Sequence, residues 1–142
     1  MPTWAKVLLV VLVVAIGLGG VALFFGIRWA RREFQEIKND GPRLVAEAKE
    51  FGRDKEGEAV VVESLARLSR CDGFICEAKV KLFLTTALTT ANVSEGFCKG
   101  VPRRGEILAT VTWAQAECAH RGFPGSQPCG RLITGIQDRC SK

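Results

Sequence analysis

Histidine is nearly absent from these 142 residues: His120 is the single imidazole. A nucleophilic cysteine needs an adjacent base, so only His120 could serve one, and at a helix C-terminus its plainer role is to meet the helix dipole. Zinc sites built from histidine pairs at fixed separation are excluded. Tight cysteine pairs are missing too. The six cysteines, Cys71, Cys76, Cys98, Cys118, Cys129 and Cys140, leave gaps of 4, 21, 19, 10 and 10 residues, which fit neither the C-x2-C ligand pair of zinc ribbons nor the C-x-x-C redox motif. No G-x-S-x-G, Walker or dinucleotide glycine pattern occurs, and "GLGG" at 17–20 lies inside an apolar run with no phosphate to cradle. Glu117 and Asp138 have no partner carboxylate at a spacing that suggests acid–base work. The alternation and Asn-Gly turns of hairpins are absent, which argues against a sheet. Net charge is +5, but without a concentrated basic stripe interleaved with aromatics, so nucleic acid is not an expected partner.

Charge is missing altogether from Val7 to Ile27, "VLLVVLVVAIGLGGVALFFGI", 21 residues. About 20 apolar residues in a helix cover about 30 Å, the thickness of the hydrocarbon core, and a helix satisfies every backbone amide internally. Trp4 and Trp29 flank the run, as interfacial aromatics do. A cleavable signal has a shorter apolar region of about 7–15 residues; here apolar residues continue past Gly20. The run reads as an uncleaved transmembrane signal anchor. Along it, Ala15, Gly19, Ala22 and Gly26 recur at helical spacing, a small-residue packing face on which another span, or a second copy, could approach closely.

Two rules conflict over orientation. Arg28, Arg31 and Arg32 follow the run while Lys6 precedes it, so flanking charge alone would hold the C-terminal part in the cytoplasm. All six cysteines lie from Cys71 onward, and an even, dense set in a small domain suits disulfides in an oxidising compartment. The cysteines decide the reading: N-terminus cytoplasmic, C-terminal domain in the periplasm or outside the cell. The rival is a thiol-redox protein using Cys71 and Cys76, or a cytoplasmic metal-binding one.

The expected organisation is a cytoplasmic N-terminus (1–6), the anchor (7–27), a charged helical stalk (28–57) broken at Asp40-Gly41-Pro42, and a six-cysteine helical domain (58–142). The fold class is all-α. Val61, Leu65 and Leu68 share one helix face; so do Ile75, Cys76, Val80, Phe83, Ala87, Leu88 and Ala91 on a helix over about 74–91. A loop through "NVSEGFCKGVPRRGE" leads to a helix over about 105–121, with Ile107, Leu108, Val111, Ala114 and Cys118 inward and Gly122 as its cap. The last helix, about 127–140, turns Leu132, Ile133 and Ile136 inward.

Consecutive helices joined by short loops run antiparallel. That places Cys71, Cys76, Cys118 and Cys129 at one end of the bundle and Cys98 with Cys140 at the other. The expected bridges are Cys98–Cys140 and, among the other four, either Cys76–Cys118 with Cys71–Cys129, the preferred set, or the crossed pairing of Cys71 with Cys118 and Cys76 with Cys129. Candidate partner contacts are Trp113, at the edge of its helix stripe, and the basic loop residues Lys99, Arg103 and Arg104. No cofactor is expected. The functional expectation is a non-enzymatic, single-pass membrane protein whose outer domain serves as an interaction or accessory subunit, with the bilayer and another membrane protein, or itself, as partners.

Overall fold

The computed structural model describes the backbone of residues 3–141; within the first helix the side chains of residues 3, 5–12, 14, 15, 29, 32–34, 36 and 37 lie outside that description. Six helices make up the described residues: α1 (Thr3–Arg53), α2 (Gly57–Leu68), α3 (Phe74–Thr90), α4 (Ile107–His120), α5 (Gln127–Ile133) and α6 (Ile136–Cys140). Among the described residues there is no strand; one isolated bridge, Glu56 with Asn92, ties the α1–α2 turn to the end of α3. The chain divides into two compact units, Met1–Lys38 and Asn39–Lys142.

In the first unit, Val13, Ile16, Leu18, Val21, Leu23, Phe24, Phe25 and Ile27 all expose more than half of their surface. Among the described residues no helix is long and apolar enough to cross a membrane. Residues 7–12, 14 and 15 of the expected span lie outside the described side chains, as do Trp29 and Arg32.

The expected break at Asp40-Gly41-Pro42 does not occur. Helix α1 runs through Pro42 to Arg53, although an interior proline forfeits a hydrogen bond and costs about 3 kcal/mol. Packing of the helix beyond the proline offsets that cost. Ala48 is fully buried, and Leu44 and Phe51 pack against the core. The second compact unit takes in residues 39–53, which the sequence reading assigns to the stalk.

Helix α3 is the centre of the second unit, with α2, α5 and α6 packed on it and α4 packed on α5. Val60, Val61, Leu65 and Leu68 of α2 meet Val80, Phe83, Leu84, Ala87 and Leu88 of α3, with Leu132, Ile133 and Ile136 closing the core. The buried polar residues Ser64 and Gln137 are satisfied: Ser64 Oγ donates to the Val60 carbonyl at 2.8 Å, and Gln137 Nε2 donates to the Pro102 carbonyl and Thr110 Oγ1 at 3.1 and 2.8 Å. Helix α4 ends in a Schellman turn, with Gly122 at φ 86°. The Gly122 N–H donates to Ala119 and the Phe123 N–H to Cys118, which satisfies carbonyls the helix end leaves open.

Where α1 crosses α3 only glycine fits. A Cβ at Gly52 would collide with the Ala87 carbonyl and Thr90 Oγ1. Gly52→Ala is expected to destabilise the protein by about 1–3 kcal/mol in denaturant melts, the overpacking cost outweighing the roughly 1 kcal/mol that alanine gains over glycine within a helix. An unchanged or raised midpoint would show that α1 does not pack here.

Candidate functional site

All six cysteines are bonded: Cys71–Cys76, Cys98–Cys140 and Cys118–Cys129, with Cα separations of 5.4, 5.4 and 6.0 Å. The expected pairs Cys76–Cys118 and Cys71–Cys129 are corrected. Helix direction alone pairs these cysteines across helices, whereas local turns bring nearer partners into reach. Gly73, at φ 98°, folds the chain just before α3 so that Cys71 meets Cys76. The turn between α4 and α5 brings Cys118 to Cys129 in the same way. Among the described residues no group of histidine, cysteine and carboxylate side chains could hold a metal ion.

The Cys71–Cys76 loop presents Phe74, which is 72% exposed. Phe74 stands at the rim of a groove of about 570 Å³ walled by α3 and α4 and floored by α5. The inward face expected for α4 is also corrected. Ala114 and Cys118 are buried, but Ile107, Leu108 and Val111 are 75%, 85% and 50% exposed. The segment "ILATVTWAQA" carries no charge, so periodicity had no charged face from which to orient it. The Cys118–Cys129 bridge and the small Ala114 against α5 set the rotation instead. Ala78, Val111, Ala114 and Leu132 give the groove an apolar lining.

Two pairs fix its polarity. Arg131 holds Glu77 at 2.6 Å in the wall. Lys81, two turns along α3 from Phe74, donates to Thr134 Oγ1 at 3.3 Å; among the described residues it has no carboxylate partner. The Lys81 residue is half-buried beside the apolar lining. Behind the groove, Arg121 at the end of α4 is bidentate on Glu58 of α2, at 2.5 and 3.0 Å, and reaches Glu117 at 2.8 Å. The Arg121 hydrogen bond holds the Glu58 carboxyl below its ordinary range against the opposing effect of burial.

The sequence candidates scatter. Trp113 is half-buried against the core. Lys99 and Arg103 are exposed and line neither this groove nor the clefts beside it. Arg104 is paired with Asp138. Gly19, Ala22 and Gly26 lie exposed on α1, and the side chain of Ala15 lies outside the described ones. The groove residues Phe74 and Lys81 were missed. The available signals were a phenylalanine bracketed by two cysteines, and a helix with more apolar surface than one packing face uses. No protein-family model matches this chain, and no curated protein or solved structure matches it.

Proposed function

We propose that this is a single-pass membrane-anchored protein whose disulfide-stapled helical domain stands outside the cytoplasm as an interaction or accessory subunit. Its groove takes an apolar helix of a membrane partner, with a carboxylate on that helix meeting Lys81. The anchor rests on the uncharged run 7–27, helical throughout its described residues. Orientation rests on the six cysteines, which bond without remainder. The partner rests on one observation: α3 and α4 stand apart over α5, leaving an apolar slot whose only unpaired charge, among the described residues, is Lys81. Helices laid into apolar grooves are a recurrent mode of recognition, and charge complementarity selects a carboxylate-bearing helix.

A photocrosslinking side chain at Val111 in the full chain, activated in native membranes, is expected to capture one partner identified by mass spectrometry. Val62, exposed on α2, serves as the control position. Ala78→Glu, which puts a charge in the slot, and Lys81→Glu, which reverses the complementary one, are expected to cut the crosslink about tenfold or more. Equal yields from Val62, or yields indifferent to both substitutions, would sink the reading.

A further inference from the structure

A second cleft, separate from the groove, lies where α1, α3, α6 and the loop before α4 converge. It holds about 450 Å³ and is lined by Val45, Lys49, Thr85, Thr86, Thr89, Arg104, Asp138 and Arg139. Three cations face one carboxylate, and that carboxylate is engaged: Asp138 is paired with Arg104. Lys49 and Arg139 have no acidic partner among the described residues. Arg139 Nε is buried with no hydrogen-bond partner, an arrangement rare for a guanidinium, which is normally satisfied when withdrawn from water. Its neighbour Cys140 is bonded to Cys98, which anchors this end of α6.

A simpler role for the cations would be to answer the C-terminal dipole of α3. That dipole amounts to about half a negative charge, less than the two positive charges left without partners. The threonines add little donor capacity, because Thr85 gives its hydroxyl proton to Lys81 O or Leu82 O and Thr89 to Thr86 O. Donors therefore come from Lys49 and Arg139, which line the cleft from two elements. That pattern suits a tetrahedral oxyanion with several acceptor oxygens. We propose that this cleft binds a phosphate group, held by Lys49 and Arg139 with Arg104 at the rim. The phosphate could be free or carried on a lipid headgroup.

The test is thermal unfolding of the full chain in a non-ionic detergent, titrated with inorganic phosphate or with dihexanoyl phosphatidic acid, with chloride at matched ionic strength as the reference. A saturable rise in the unfolding midpoint is expected with phosphate groups and not with chloride, since a ligand that binds only the folded state stabilises it. Lys49→Gln and Arg139→Gln are each expected to weaken that binding about tenfold. Lys49 is exposed on α1, so its variant tests the site even if the Arg139 variant fails to fold. Similar affinity for both probes assigns the site to phosphate itself; response to the lipid alone assigns it to a headgroup. No saturable shift with either probe, or shifts undiminished in Lys49→Gln, overturns the proposal.

Discussion

Replacing Cys98 and Cys140 together with alanine is expected to cost the domain about 4 kcal/mol and lower its unfolding midpoint by about 15 °C. The size follows from the loop each bridge closes. Cys98 and Cys140 are 42 positions apart, against 11 for Cys118–Cys129 and 5 for Cys71–Cys76. Restricting a longer loop removes more freedom from the unfolded chain, so the chain-entropy argument gives about 3 and about 2 kcal/mol for the other two. The Cys98–Cys140 bridge also fixes the loop before α4 to α6, where Gln137 holds Pro102 and Thr110, so its loss frees α4 on one side. The ranking carries a functional corollary. The Cys71–Cys76 bridge closes the smallest loop yet displays the exposed Phe74, so removing it should spare the fold and weaken capture of a partner at Val111. Differential scanning calorimetry of the three double-alanine variants checks the order. If the Cys71–Cys76 variant loses as much as the Cys98–Cys140 one, loop closure is not what these bridges contribute.

What could be read in advance divides along a physical line. The stripe of α2 was legible because charged residues mark its outer face. In α2, Glu63 and Arg67 leave Val61, Leu65 and Leu68 as the inward set, and these are buried. In α4 no charge falls between Ile107 and Ala116, so the hydrophobic pattern named a helix without naming its buried side. Pro42 misled in another way. A proline is a local signal, and the packing of Ala48 and Phe51 that overrides it is a tertiary one, invisible until α1 and α3 are brought together. The bridges show the same limit: helix direction was enough to separate the two ends of the bundle, but the choice among four cysteines at one end depended on turn geometry at Gly73 and Gly122. The two clefts were least legible of all. Lys81, Lys49 and Arg139 look like ordinary surface charges in the sequence, and what distinguishes them is the cleft that each one lines.

Phe83→Ala is expected to cost about 3–5 kcal/mol, the cavity left by a fully buried aromatic ring. Phe83 has no exposed surface, and its surroundings make collapse into the cavity difficult. Its ring centroid lies 5.5 Å from that of Phe51 on α1, while the Arg67 guanidinium of α2 sits 3.8 Å above its face. Arg67 is itself held there by Glu47 and Glu63, at 2.8 and 2.9 Å. Burial opposes its charge, but the hydrogen bonds to Glu63 and Glu47 outweigh that and keep its pKa raised. One ring therefore joins α1, α2 and α3, and its loss removes a cation–π contact as well as apolar burial. Phe83→Leu keeps most of the volume and should cost only about 1–2 kcal/mol. The informative measurement is the double-mutant cycle with Phe51→Ala in urea denaturation of the full chain. Residues in contact do not add, so the double variant should lose about 1 kcal/mol less than the sum of its parts. Strict additivity would mean that Phe51 does not touch Phe83 in solution, and would return residues 39–53 to the role of a stalk outside the core.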